Sequence, residues 1–152
     1  MIRFALLGAG RIGQMHAANI AGHERCNLSW IYDVHTPSSE ALCTKTGAKV
    51  ARDPDEIFDD AEVDAVFVAS STPTHADFIV RSVESGKAVL CEKPIDLDIA
   101  KVEECTKKIS GAKTLIQIGF NRRFDPGHGQ VVEAVRNGEI GDWEQVIISS
   151  RD

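Results

Sequence analysis

The residues best suited to chemistry begin with a glycine-rich segment near the N-terminus. Residues 8–13 read Gly-Ala-Gly-Arg-Ile-Gly, a G-x-G-x-x-G pattern that follows a predicted strand and opens a predicted helix. In this setting Gly8 permits a tight turn, Gly10 lets a pyrophosphate approach the backbone, and Gly13 allows the helix to pack closely. Two alternative explanations share parts of this glycine pattern: a structural turn without a ligand, and a site for FAD or S-adenosylmethionine. The cofactor-binding residues predicted here are Gly8, Gly10, Arg11, Ile12 and Gly13.

A carboxylate further along the chain indicates which dinucleotide would bind. Asp33 ends the second predicted strand, 20 residues beyond Gly13. From there its carboxylate can accept hydrogen bonds from both hydroxyls of an adenosine ribose, and it would repel a 2'-phosphate. No Arg or Lys follows in residues 34–36 to offset that repulsion. The sequence therefore predicts NAD as the cofactor, in preference to NADP.

A polar segment follows the fourth predicted strand. Residues 70–75 read Ser-Ser-Thr-Pro-Thr-His, and they leave the sheet at the carboxyl edge, where ligands of open α/β sheets bind. Ordinary turn and helix-start chemistry is the alternative explanation for these residue types. We expect five of these residues to flank the cofactor: Ser70, Ser71, Thr72, Pro73 and His75. The remaining histidines have no partner in the sequence and are expected at the surface or in the core: His16, His23, His35 and His128.

A lysine follows the next predicted strand, in the segment Cys91-Glu92-Lys93-Pro94. Lys93 stands at the carboxyl end of a buried strand, and Pro94 keeps it out of helical geometry. These two features predict that Lys93 points into the site. A salt-bridging lysine at the surface is the alternative.

The elements that must position these residues alternate between strand and helix. Short apolar runs at residues 2–7, 28–32, 65–69, 88–91 and 114–118 are typical of strands buried on both faces. Apolar residues at helical spacing occur between them, as in residues 11–21, 76–83 and 99–109. Glycines at positions 47, 86 and 111 indicate helix ends. This order predicts an α/β protein with a Rossmann-type doubly wound parallel sheet over residues 1–121.

The pattern changes after about residue 120. A weaker helix is expected around residues 131–136, and the apolar run Val146-Ile147-Ile148 predicts a final strand that extends toward Ser150. We interpret residues 122–152 as the beginning of a second, incomplete α/β domain for substrate binding and oligomerisation. An unpaired apolar strand edge favours association. The tail is therefore expected either to pair with another copy, giving a homo-oligomer, or to be mobile beside an ordered domain.

Composition excludes several classes of function. The 152 residues are 43% hydrophobic and 26% charged, with a net charge of -6, as expected for one globular domain without a basic surface for nucleic acid. The apolar N-terminal run is too short for a signal peptide or a membrane span, so a cytoplasmic protein without membrane contact is expected. The four cysteines form no C-x-x-C pair, so no metal site is predicted and the thiols are expected to be reduced.

Taken in order, these segments resemble the glucose-fructose oxidoreductase, inositol dehydrogenase and rhizopine-catabolism (Gfo/Idh/MocA) family, and within it the inositol dehydrogenase branch. The Glu-Lys-Pro of residues 92–94 is the most specific motif. The Gly-Phe-Asn-Arg-Arg-Phe-Asp-Pro of residues 119–126 is similar to the inositol branch, and Gly-Glu-Ile-Gly at 138–141 also matches.

The resemblance implies roles for individual residues. Lys93 would be catalytic and would contact substrate, while Glu92, Asn121 and Arg122 would lie beside the nicotinamide and the substrate entrance. The Lys93-Pro94 bond would be cis. The family also has an Asp-x-x-x-His whose histidine accepts the substrate proton, and none occurs after Val146.

The resemblance also implies an activity. It is the NAD-dependent oxidation of a secondary hydroxyl of a cyclic polyol, myo-inositol to 2-keto-inositol, by a parent enzyme of which this chain is an N-terminal portion with little activity of its own. Two alternatives are a stand-alone NAD-binding module without catalysis and a related sugar dehydrogenase.

Overall fold

The computed structural model describes residues 1–149. Within this range, six strands alternate with six helices. The strands are β1 (Ile2–Leu7), β2 (Cys26–Tyr32), β3 (Lys49–Val50), β4 (Ala65–Val68), β5 (Ala88–Cys91) and β6 (Ile116–Ile118). The helices are α1 (Arg11–Ala21), α2 (Thr36–Thr46), α3 (Asp55–Phe58), α4 (His75–Glu84), α5 (Ile99–Lys108) and α6 (Pro126–Arg136). Short 3-10 turns occur at Thr72–Thr74 and Asn121–Phe124.

The strands form one parallel sheet in the order β3-β2-β1-β4-β5-β6. This is the order of a doubly wound dinucleotide-binding sheet, so the predicted fold class is confirmed. The register aligns the last residues of the central strands: Leu7 pairs with both Tyr32 and Val68, and Val68 pairs with Cys91. The residues that follow these strands therefore form a row along the carboxyl edge: Gly8, Asp33, Ala69 and Glu92.

Both faces of the sheet are buried. One face packs Leu7, Val66 and Val68 against residues of α3, α4 and α5. The opposite face packs Leu6 and Phe67 against α1 and α2. Because successive strand residues point to opposite faces, a strand between two helical layers is apolar at most of its positions. This explains the continuous apolar runs of the sequence.

Local signals account for several helix ends. The Asp53 carboxylate accepts a hydrogen bond from the Asp55 amide at 2.8 Å, and the Glu56 carboxylate accepts one from the Asp53 amide at 3.0 Å. This reciprocal pair begins α3. Gly47 ends α2 with a φ of 77°. Among the described residues, no helix is both long and apolar enough to cross a bilayer.

The chain divides into two compact units, with Met1–Gly119 as the first and the residues from Phe120 onward as the second. In the second unit α6 begins after Asp125, whose carboxylate accepts a hydrogen bond from the His128 amide at 2.9 Å. The strand predicted at Val146–Ile148 is wrong, because these residues form no regular secondary structure, and Ile148 is 86% exposed. A strand is stable only beside a partner, and the described part of this unit contains none. Ser150 lies outside the described residues.

Candidate cofactor site

The glycine-rich turn connects β1 to α1 and leaves different amounts of space at its three glycines. Gly8 has a φ of 107°, and a Cβ there would lie 2.4 Å from the Ala69 carbonyl oxygen. A Cβ on Gly13 would lie 1.9 Å from the Gly8 carbonyl oxygen. Gly10 differs, since none of the described atoms outside its chain neighbours lies within 4 Å of a Cβ built on it. Gly8 and Gly13 are therefore needed for packing, whereas Gly10 faces open space.

The N-terminus of α1 opens beside Gly10. No side chain of the described residues caps this helix, and its first turn carries no acidic residue. The first amides of a helix lack partners within the helix and carry a partial positive charge, so this end suits an anion such as a pyrophosphate. Arg11 and Ile12, both exposed, flank it. The predicted phosphate-binding segment thus fits a dinucleotide in both space and charge.

Asp33 is fixed against the glycine-rich turn. Its Oδ2 accepts a hydrogen bond from the Ala9 amide at 2.6 Å, and its Oδ1 accepts one from the His35 amide at 2.8 Å. Each carboxylate oxygen has further lone pairs for ribose hydroxyls. Asp33 also lines a cavity of about 150 Å³ together with Gly8, Ser70 and Ser71. The sequence did not reveal that Asp33 also holds the glycine-rich turn.

The residues of the polar segment after β4 lie in two different environments. Ser70 and Ser71 line the cavity beside Asp33, whereas Pro73 borders a separate cleft between α4 and α5. Thr72 begins the 3-10 turn that leads into α4. The predicted cofactor-flanking residues therefore do not all face the same space.

His75, the first residue of α4, is only 2% exposed. Its Nδ1 lies 2.7 Å from the Pro94 carbonyl oxygen, and its Nε2 lies 3.0 Å from the Ser70 carbonyl oxygen. Both ring nitrogens thus face backbone acceptors. The geometry places His75 as a link between the loops after β4 and β5, at the start of a helix, and its predicted place beside the cofactor stays a prediction.

The loop after β5 carries Glu92 and Lys93. The Glu92 amide donates to the Val68 carbonyl oxygen at 2.9 Å, which holds the loop beside β4. Lys93 is exposed, and its bond to Pro94 is cis, as expected from the family resemblance. Lys93 therefore lies one residue beyond the row formed by Gly8, Asp33, Ala69 and Glu92.

Cys91, at the end of β5, is not a nucleophile of this site. Burial raises the pKa of its thiol to about 12, and the nearby Glu92 and Cys105 act in the same direction. A thiol with such a pKa stays protonated near neutral pH and is inert. Cys43 and Cys105 are also buried, and Cys26 is half-buried; all four cysteines are free thiols.

His16 is a residue that the sequence reasoning missed. Its Nε2 lies 3.1 Å from Oε1 of Glu92, and its ring packs on Phe67 with the centroids 4.0 Å apart. The sequence offered no direct signal for this contact, because the two partners are 76 positions apart. Asn121 and Arg122 are exposed in the second unit, and their predicted place beside the nicotinamide stays a prediction.

Two enzymes with similar sequences act on inositol. The chain is 45% identical over 151 residues to an inositol 2-dehydrogenase of Rhizobium meliloti, covering 99% of this chain and 46% of that protein. It is 38% identical over 152 residues to a myo-inositol 2-dehydrogenase of Thermotoga maritima, with the same coverage of 99% and 46%. The chain thus spans less than half the length of these relatives.

Solved structures show the same likeness. A myo-inositol dehydrogenase of Corynebacterium glutamicum superposes with a TM-score of 0.84 at 44% identity, covering 93% of this chain and 43% of that one. A scyllo-inositol dehydrogenase of Lactobacillus casei, solved with NAD(H) and scyllo-inositol, superposes with a TM-score of 0.86 at 34% identity and the same coverage.

The match to a family model agrees with the geometry of the site. Residues 2–120 match the Gfo/Idh/MocA model, which describes an oxidoreductase family with an NAD-binding Rossmann fold. The chain therefore belongs to the Gfo/Idh/MocA oxidoreductase family, and residues 2–120 form its NAD-binding domain.

Proposed function

We propose that this chain is the cofactor-binding part of an NAD-dependent dehydrogenase that oxidises a secondary hydroxyl of a cyclic polyol, such as myo-inositol, to a ketone. The observation that carries the proposal is that Gly10, Asp33 and Lys93 lie in or close to the row of residues along the carboxyl edge. Gly10, Asp33 and Lys93 offer, in separate places, room for a pyrophosphate, a carboxylate for a ribose and a cation for a substrate oxygen. The likeness to inositol dehydrogenases supports the choice of substrate.

The order of residues along this edge suggests which part of the cofactor each of them would bind. The turn at Gly10 and the N-terminus of α1 would hold the pyrophosphate. Asp33 would bind the adenosine ribose, in the cavity that it shares with Ser70 and Ser71. A dinucleotide extends to both sides of its pyrophosphate, so its nicotinamide half would pass in the other direction, toward Glu92 and Lys93 at the end of β5.

Lys93 has the chemistry needed at the reacting carbon. When bound, NAD supplies a hydride acceptor at the nicotinamide ring. As the hydroxyl proton is lost, negative charge develops on the substrate oxygen, and departure of the hydride from the carbon then converts this oxygen into the neutral carbonyl of the ketone. The Lys93 ammonium, with its three N–H donors, would orient that oxygen and stabilise the charge.

We further propose that these 152 residues bind NAD but turn over polyols slowly. The histidine that the family resemblance expects as proton acceptor is not found in this sequence. General-base catalysis typically contributes about 100- to 10,000-fold. A stand-alone NAD-binding module would show binding with no turnover at all.

The test combines calorimetric titration with NAD and NADH absorbance measured over long incubations with myo-inositol and scyllo-inositol. Lys93→Met should abolish the residual turnover and change the Kd for NAD by less than about twofold. Lys113→Met, which removes an exposed lysine far along the sequence, is the matched control and should change neither. Absence of NAD binding, or turnover unaffected by Lys93→Met, would contradict the proposal.

A further inference from the structure

We infer that His16 is a positioning residue for the nicotinamide half of the cofactor, acting through the Glu92 carboxylate on the turn that carries Lys93. The inference rests on the proposed function, because it assigns a role within that same site. Its basis is a set of contacts among five segments that are far apart in the sequence.

The first contact ties α1 to the end of β5. His16 lies in the second turn of α1, and its Nε2 is 3.1 Å from Oε1 of Glu92, with both side chains largely buried. An ionised carboxylate only accepts hydrogen bonds, so Nε2 carries the proton in this pair. The ring is fixed from the other side by Phe67 of β4, at a centroid distance of 4.0 Å. His16 is therefore held in one orientation as a donor.

The second oxygen of Glu92 faces the Lys93 turn and the end of β6. Oε2 accepts a hydrogen bond from the Lys93 amide at 3.3 Å. A Cβ on Gly119 would lie 3.3 Å from this same oxygen and 3.4 Å from the Cys91 carbonyl oxygen. The carboxylate thus fills the space beside Gly119. Any side chain at position 119 would press on Glu92.

The far side of the same turn is held by the other histidine of the site. The Pro94 carbonyl oxygen lies 2.7 Å from Nδ1 of His75. Lys93 therefore stands between two fixed neighbours, Glu92 and Pro94, while its own side chain is exposed. These two contacts fix the backbone from which the Lys93 side chain leaves the turn.

This arrangement links the helix that would hold the pyrophosphate to the turn that would meet the nicotinamide. Without the His16 donor, the Glu92 carboxylate would lose its fixed orientation, and the Lys93 turn would become less ordered. The adenosine half should be unaffected, because the hydrogen bonds described for Asp33, Ser70 and Ser71 involve neither His16 nor Glu92. The loss should therefore fall on the nicotinamide half alone.

The experiment compares the binding of NAD with that of ADP-ribose, which lacks the nicotinamide, to the full 152-residue chain. His16→Phe keeps an aromatic ring on Phe67 but removes the donor. It should weaken NAD binding about tenfold, as expected for a hydrogen bond to a charged group, and ADP-ribose binding by less than about twofold. His16→Gln, which restores an N–H donor, should recover most of the NAD affinity. His23→Gln, an exposed histidine beyond the end of α1, is the control that should change neither.

Gly119→Ala provides a second route if His16→Phe does not fold, since its methyl group would press on the Glu92 carboxylate, which must shift by a few tenths of an ångström, and a smaller loss confined to NAD is expected. Nitrogen NMR of the His16 ring should show the proton on Nε2. Equal weakening of NAD and ADP-ribose, or no rescue by His16→Gln, would overturn the inference and leave the proposed function intact. If the unsubstituted chain binds neither ligand, the proposed function fails, and the inference fails with it.

Discussion

Gly10→Ala and Gly13→Ala each add one methyl group to the same turn, but their main effects should differ. Gly13→Ala should lower the stability of the fold, whereas Gly10→Ala should weaken cofactor binding. The Gly13 methyl would lie 1.9 Å from the Gly8 carbonyl oxygen, about 1 Å inside the 3.0 Å limit that real Cβ contacts respect. The clash is with backbone, so α1 must move away from the end of β1. Overpacking of this kind costs about 1 to 3 kcal/mol, and the upper end applies to a rigid neighbour.

The higher helix propensity of alanine recovers up to about 1 kcal/mol of this loss. The net destabilisation by Gly13→Ala is then about 2 kcal/mol, or about 8 °C in Tm for a domain of this size. Gly10 has a φ of -68° and a ψ of -172°, which any residue can adopt. Its methyl group enters open space, so Gly10→Ala should change Tm by less than about 2 °C.

Gly10→Ala should instead weaken cofactor binding. The Gly10 methyl would occupy the space through which a pyrophosphate approaches the backbone, and the loss of one charged hydrogen bond there corresponds to at least about tenfold in the Kd for NAD. Thermal unfolding and calorimetric titration measure the two effects. Gly129→Ala, in α6 and also facing open space, is the control and should leave NAD binding unchanged. The reasoning is refuted if Gly10→Ala binds NAD normally, or if it unfolds as early as Gly13→Ala.

Three further predictions follow from the described contacts. The unsubstituted chain should bind NAD at least about tenfold more tightly than NADP, and Asp33→Ser should narrow that ratio in calorimetry, because a repulsive carboxylate is removed. In the native chain, iodoacetamide should modify Cys26, while mass spectrometry should find Cys91 modified only after unfolding; similar rates would contradict its burial. The Trp30 indole donates to the Asp60 carboxylate at 2.7 Å and lowers its pKa below 3.8. The stabilisation that this hydrogen bond gives the folded state is present above the ordinary pKa of aspartate and is lost as pH falls through the lower pKa of folded Asp60. The stability cost of Trp30→Phe in urea unfolding should therefore shrink as pH falls below the ordinary pKa of aspartate.

Much of the cofactor-binding domain could be predicted from local patterns. Apolar runs identified five of the six strands because a strand between two helical layers is apolar at most of its positions. The sixth, β3, has only two residues and offers too little pattern to detect. The run at Val146–Ile148 failed as a strand because apolar residues do not provide a pairing partner. The glycine pattern, Asp33 and the Lys93-Pro94 turn could be selected as candidates because each one lies at the end of a predicted strand.

The amino-acid sequence by itself determined the order of elements, the parallel sheet and the position of the glycine-rich turn, since each depends on residues close together in the chain. Tertiary structure alone decided which of these residues support one another. It placed His75 beneath two loops, joined Asp33 to the Ala9 amide and brought His16 to Glu92 across 76 positions. Such contacts depend on how α1, β4 and β5 pack together. The periodicity of a single helix or strand does not predict that packing.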